Sequence, residues 1–258
     1  MGKDIEQHYL TTSVIPSFTF IDPFGYKGLT QKLINGVIKD FGCDCLFFFN
    51  YRRINSALGT PIFRERMGEL FGTERALKLE KDLQAIGTGK GKIYKREEVI
   101  FAALVDTLKE VQDVYVRRFR FMSGKRVSHM LVFVTKSPLG DRIMNGIMAR
   151  EGYQDDKGIS SYTYSASPPP VNALYHPEFD ALKEMLCEQY EGQTLSMGAI
   201  YEDNCPGRDY YAMNYKDALN ELEAEKRVTS SKPLEKRPMR NGKRTFGDDI
   251  LVTFPKKK

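Results

Sequence analysis

The chain has 258 residues, 41% hydrophobic and 28% charged, which suits one large or two small folded domains and excludes a wholly disordered chain. No apolar run nears the roughly 18 residues of a membrane helix, the N-terminus lacks the apolar core of a secretory signal, and Cys43, Cys45, Cys187 and Cys205 are too scattered for a disulfide framework, so a cytoplasmic protein is expected. The net charge of +5 is uneven: residues 226–258 hold eleven Lys or Arg against three acids, or +8, which leaves 28 basic and 31 acidic residues, or −3, in 1–225.

In chain order, Val14–Ile21 reads as a short buried strand closed by Asp22-Pro23, a turn signal. Leu29, Leu33, Ile34, Val37, Ile38 and Phe41 then recur at helical spacing up to Gly42, and Cys45–Phe49 is a second apolar strand. Strand, helix, strand predicts a parallel βαβ unit. Residues 51–111 form a charged helical insertion, with one helix marked by Ala76, Leu79, Leu83 and Ile86 and another by Val99–Val111. The strands Val114–Met122 and Ser128–Thr135 are separated by a short Gly-containing gap and predict an antiparallel hairpin. Ser137-Pro138 opens a helix with Ile143, Met144, Ile147 and Met148 facing inward. These elements make a domain over 1–157, and the polar, proline-rich stretch 158–176 reads as a linker.

Residues 177–258 read as a second, smaller domain. Phe179, Leu182, Leu186 and Tyr190 stripe a first helix, Thr194 or Ser196 caps a second, and a third runs from about Arg208 to Arg227. Arg227-Val228-Thr229 and Ile250–Phe254 then pair around a basic loop, which gives a winged-helix-like α+β module. In such modules the third helix enters the major groove and the wing meets the backbone. Arg208, Tyr210, Asn214 and Lys216 at the helix start, and Lys232, Lys236, Arg237, Arg240, Lys243 and Arg244 in the wing, are therefore candidate DNA or RNA contacts. Glu221, Glu223 and Glu225 on that helix oppose this, and a purely protein-binding module or a solvated basic end is the competing reading.

Elsewhere, Asp22 and Pro23 sit where open α/β sheets bind ligands, but equally where a strand is simply capped. Arg52 and Arg53 lie near the same edge, to meet phosphates or to pair with acids of the insertion. Arg117, Arg118, Arg120, Lys125 and Arg126 form a second basic cluster of the kind that keeps hairpin edges solvated. The cysteines read as buried free thiols, His129 as a half-buried core residue, and no spacing predicts a metal site. Gly87–Gly91 is a Gly-x-Gly-x-Gly, but a helical pattern precedes it rather than the buried strand a cofactor loop needs, so it reads as a surface loop.

The strings Phe20–Leu29 (FIDPFGYKGL), Phe48-Phe49-Asn50 and Leu131–Gly140 (LVFVTKSPLG), with Ile147-Met148 after them, resemble the three-Cys-motif partner protein family over about 14–150. That resemblance implies a partial doubly wound, class I methyltransferase-like sheet and a bacterial or phage role in nucleic-acid modification or defence. The implied partner is a separate three-Cys-motif protein resembling radical S-adenosylmethionine enzymes. It casts Asp22, Pro23, Phe24 and Tyr26 as the target pocket, the carboxylate accepting from the target amine and the aromatic stacking on a flipped base. The family's glycine-rich cofactor loop does not precede Asp22 here, so this chain alone is expected to bind S-adenosylmethionine weakly or not at all. A catalytically inactive winged-helix adaptor is the alternative.

Overall fold

A computed structural model describes residues 2–23, 28–56, 61–89, 92–123, 126–154, 160–165, 178–240 and 242–256. The chain divides into two compact units, Met1–Met144 with Tyr162–Leu174, and Asn145–Ser161 with Tyr175–Lys258.

In the first unit, helix α1 (Gly2–Thr11) leads into strand β1 (Ser17–Ile21), helix α2 (Gln31–Ile38) and strand β2 (Cys43–Phe49). The Thr30 hydroxyl accepts from the Leu33 N–H at 3.0 Å and starts α2, whose Leu33, Ile34, Val37 and Ile38 are buried. Gly42 turns the chain at φ 72°, where a Cβ would lie 2.9 Å from Pro16, so both conformation and space require glycine. Phe41, expected on the inward stripe, lies beyond the helix and is 90% exposed.

Four helices fill the insertion: α3 (Tyr51–Ser56), α4 (Pro61–Phe71), α5 (Thr73–Ile86) and α6 (Lys92–Lys109). Strands β3 (Tyr115–Ser123) and β4 (Arg126–Thr135) form the expected hairpin, and helix α7 (Pro138–Glu151) follows. The sheet is five-stranded and mixed, with order β1-β2-β4-β3 and then β5 (Thr163–Tyr164) at the far edge. β1 and β2 are parallel, β2 and β4 antiparallel, and β3 and β5 parallel.

Alternation along β2 assigns the two sheet faces. Cys45, Phe47 and Phe49 enter the core with Val132, Val134, Leu104 and Leu108, whereas Asp44, Leu46 and Phe48 are only half-buried. Two expectations are corrected here. Ile143 and Ile147 of α7 are 55% and 39% exposed rather than inward. The stretch expected as linker contains β5 and the buried residues Ser160, Ser161, Tyr162 and Thr163, because pairing with β3 and the Gln154–Ser160 bridge tie it down.

The second unit continues with helix α8 (Phe179–Gln189), strand β6 (Thr194–Ser196), helix α9 (Met197–Asn204) and helix α10 (Ala212–Ala224). Then come strand β7 (Thr229–Ser230), a 3-10 turn at Leu234–Lys236, strands β8 (Met239–Arg240) and β9 (Lys243–Arg244), and strand β10 (Leu251–Thr253). β10 lies between β6 and β7, antiparallel to both, and β8 pairs with β9 in a separate hairpin. Ser196 is the residue that caps α9, its hydroxyl accepting from Ala199 N–H at 3.1 Å. Leu182, Leu186, Ile200, Tyr215, Leu219, Val252 and Phe254 are the centre of this unit's own core.

Candidate nucleic-acid interface

The basic segment after α10 is sorted by where its partners lie. Arg237 is turned inside: its side chain is fully buried and ion-paired with Glu223, which α10 presents. Its guanidinium also donates to the Lys232 carbonyl (2.7 Å), Asn220 Oδ1 (2.8 Å) and Ser230 Oγ (2.6 Å), and stacks 4.1 Å from the Phe246 ring centroid. Nε, Nη1 and Nη2 all donate to groups of this unit and the side chain is buried, so Arg237 is a strut between wing and helix rather than a phosphate contact. Arg244 is half-buried and donates to the Arg237 carbonyl at 2.7 Å, while Asn220 donates to the Arg244 carbonyl at 3.0 Å.

Lys232, Lys236 and Arg240 remain exposed, and their side chains have no ion-pair partner among the described residues. β9 brings Lys243 into the same hairpin as Arg240, but its side chain lies outside the described residues.

The start of the third helix differs more from expectation. Helix α10 begins at Ala212, so Arg208 and Tyr210 precede it. Tyr210 is buried, with its hydroxyl donated to the Glu178 carbonyl at 2.7 Å. Asn214 is 1% exposed, and its Oδ1 accepts from Tyr211 N–H at 3.1 Å. It satisfies one of the orphan donors of the helix end. Arg208 donates to the Asn204 carbonyl, and Lys216 pairs with Asp248 at 2.8 Å. Tyr210 and Asn214, expected to read bases, are therefore framework groups of the module.

The outward positions of α10 are instead Met213 (51% exposed), Glu221 and Ala224, with Lys216, Asp217 and Asn220 half-exposed. An apolar residue off the core stripe was the signal that identifies Met213. The acids that opposed an interface are themselves engaged. Lys183 of α8 donates to Glu221 at 3.0 Å and Glu225 at 2.9 Å, and these bonds raise its pKa above the usual lysine range. Glu223 is held by Arg237.

At the other candidate site, Asp22 is exposed just past the end of β1, the edge strand, and Pro23 is half-buried. Phe24 and Tyr26 lie outside the described residues. Arg52 and Arg53 are exposed in α3, directly after β2. Arg117, Arg118 and Arg120 are not solvated: Arg117 pairs with buried Asp141 at 2.5 Å, Arg118 with Glu98 at 2.5 Å, and Arg120 with Glu97.

Of the Gly87–Gly91 stretch, residues 90 and 91 lie outside the described residues, and a helix rather than a buried strand precedes Gly87. That helix is α5, whose end Gly87 caps by donating its N–H to the Leu83 carbonyl at 3.1 Å. Cys45 is buried and its thiol is pushed up to about 12 by burial and then by Asp44, so it stays protonated at neutral pH. Among the described residues no cluster of three His, Cys, Asp or Glu is placed to hold a metal ion, and no helix is long and apolar enough to cross a membrane.

No curated protein and no solved structure matches the chain. Residues 152–234 match the family model described as the GMT-like wHTH domain, and with the α8, α9, α10 and β6-β10-β7 arrangement this match makes the second unit's module a winged helix-turn-helix.

Proposed function

We propose that this protein binds nucleic acid through its winged-helix module, with Lys232, Lys236 and Arg240 at the wing holding phosphates and the Met213–Asn220 face of α10 lying toward the groove. One observation carries this reading. The three wing cations stay exposed and unpaired among the described residues, while Glu221, Glu223 and Glu225 are engaged from within by Lys183 and Arg237. The module therefore presents net positive charge on its wing side, which is the footprint of polyanion binding.

The wider reading places this binding in a nucleic-acid modification or defence assembly with a three-Cys-motif protein, the first unit serving as its methyltransferase-like half. The parallel β1-β2 pair beside the antiparallel β4-β3 hairpin supports that assignment, as does Asp22 at the end of β1. In that reading Asp22 would accept a hydrogen bond from the target amine, beside Pro23, Phe24 and Tyr26, and S-adenosylmethionine would be held at a site completed elsewhere. Because helix α5 and not a buried strand leads into Gly87, the isolated chain should show no micromolar binding to S-adenosylmethionine in calorimetry.

The test of nucleic-acid binding is a salt titration. Each neutralised phosphate on duplex DNA lowers log affinity by roughly 0.9 per decade of salt, so three contacts give a slope of about −3. Lys232→Ala, Lys236→Ala and Arg240→Ala together should flatten that slope and weaken binding to all sequences alike. Absence of salt-dependent binding to duplex and single strands sinks the reading. It would favour the adaptor instead, for which the exposed Met213 on α10 is the supporting feature.

A further inference from the structure

We propose that a cleft in the first unit, whose described lining does not include Asp22, binds a phosphate-bearing ligand of nucleotide size. Helix α3 starts directly after β2 and strand β4 starts at Arg126, and between them opens a cleft of about 380 Å³ lined by Arg52 and Asn55 on one side and Arg126 and Ser128 on the other. That volume lies within the range of small-molecule sites, roughly 300–1,000 Å³.

The charge of this cleft sets it apart. Every other arginine described in the first unit has a partner: Arg64 meets Glu80, Arg75 meets Glu110, and Arg117, Arg118 and Arg120 meet Asp141, Glu98 and Glu97. Arg96 is occupied by the Leu83 and Gly87 carbonyls, and Arg53, Arg66 and Arg142 are engaged as well. Among the arginines described in this unit, Arg52 and Arg126 alone have no side-chain partner, and both line this cleft. Two cations lining one cleft with no acid among its described residues favour an anion there.

The neighbouring groups favour the same sign. Buried Arg96 donates from Nε to Asn55 Oδ1 at 2.8 Å, which fixes the amide so that Asn55 offers its NH2 as a donor. No carboxylate lines the cleft among the described residues. Glu97 and Glu98 on α6 are already bound to Arg118 and Arg120. Tyr51 closes the back with its hydroxyl donated to the Ile93 carbonyl at 3.3 Å, so its ring and Ile93 supply an apolar wall. Forked arginines, an amide donor and an apolar wall suit a phosphate joined to a flat ring better than a lone carboxylate. A free nucleotide and the terminal phosphate of a strand share this chemistry.

Isothermal titration of the full chain with AMP, adenosine and a 5′-phosphorylated thymidine tetranucleotide tests the proposal. AMP should bind at one site and adenosine at least tenfold more weakly. Arg52→Gln with Arg126→Gln should weaken AMP tenfold or more, and Arg52→Lys with Arg126→Lys should restore part of the loss. Asn55→Asp is the second probe: the new carboxylate can still accept from Arg96, preserving the fold, yet it puts negative charge in the cleft and should abolish AMP binding. The wing variant Lys232→Ala, Lys236→Ala, Arg240→Ala should leave AMP binding unchanged, which separates this site from the proposed nucleic-acid interface. Tighter binding of the tetranucleotide, competitive with AMP, marks a strand end as the ligand; tighter AMP marks the free nucleotide. Equal binding of AMP and adenosine, no binding of any probe at millimolar concentration, or insensitivity to the arginine and Asn55 variants would overturn the proposal.

Discussion

Strand β3 and the segment after α10 each carry a cluster of cations, yet the two are built in opposite ways. Arg117, Arg118 and Arg120 point at acids that α6 and α7 supply, Glu97, Glu98 and Asp141, so the cluster is spent inside the first unit. The later segment meets Glu223 and Glu184 at Arg237 and Arg227, and leaves Lys232, Lys236 and Arg240 to solvent. The difference lies in the neighbouring elements and not in the basic residues themselves. A cation beside an acid becomes framework, and one without such an acid becomes surface available to an anion. The same contrast separates Arg52 and Arg126 from the ion-paired Arg64, Arg75, Arg117, Arg118 and Arg120 of the sheet unit.

The largest effect expected from this contrast is at β3. Arg120→Ala leaves Glu97, 3% exposed at its side chain, with only Arg118 as an ion-pair partner among the described residues, 3.9 Å away, and breaking such a buried pair costs about 3 kcal/mol. Urea unfolding followed by amide exchange should show the loss in the β3 and β4 amides; a loss under about 1 kcal/mol would mean water already reaches the pair.

Next comes the wing, where two arginines three positions apart should behave differently. Arg237→Ala removes hydrogen bonds from a charged group and should cost about 1.5–3 kcal/mol. Arg240→Ala should stay within about 0.5 kcal/mol but weaken nucleic-acid binding. Equal stability losses at the two positions would erase the distinction between strut and contact.

Asn214→Ala is expected to be smaller again, about 1 kcal/mol from the lost cap on Tyr211 N–H. Its preference among DNA sequences should not change. A shift in sequence preference at constant stability would return Asn214 to the base-reading role that its position near the helix start suggested.

Those roles could be read from the chain only in part. β1, α2, β2 and the β3–β4 hairpin were legible because each carries its own periodicity, period 2 in Cys43–Phe49 and helical spacing in Leu33–Ile38. β5 was not, since Thr163 and Tyr164 have no pattern and become a strand only by pairing with Arg120 and Phe121. The mixed sheet and the winged-helix module followed from local signals. The identity of the free cations did not, because Arg237 is decided by Glu223 in another element, and Arg52 and Arg126 meet only after the sheet has formed. Tyr210 and Asn214 turn inward because the third helix starts at Ala212: Tyr210 precedes it, and Asn214, its third residue, folds back to accept from Tyr211 N–H.

The smallest effect concerns a titratable group with no acid beside it, and so tests the rule from the other side. His129 on β4 is stacked between Phe48 and Phe121, with ring centroids 4.4 and 4.7 Å away. The Ser128 hydroxyl donates to the Phe121 carbonyl at 3.0 Å, so its oxygen is free to accept from His129 Nδ1–H at 2.9 Å. Burial alone lowers the imidazole pKa from its ordinary 6.5, with no carboxylate to oppose the shift. The folded state then favours the neutral ring. Its contribution to stability is fully present above the unfolded-state pKa and is lost as pH falls from there through the folded-state value. An NMR titration of the ring should therefore give a midpoint below 6.5. His129→Phe keeps the stack, removes the titration, and should make stability decline less between pH 7 and 5. A midpoint at or above 6.5, or an unchanged decline in the variant, would show that a negative charge reaches this ring, contrary to the arrangement that distinguishes it from the paired arginines of β3.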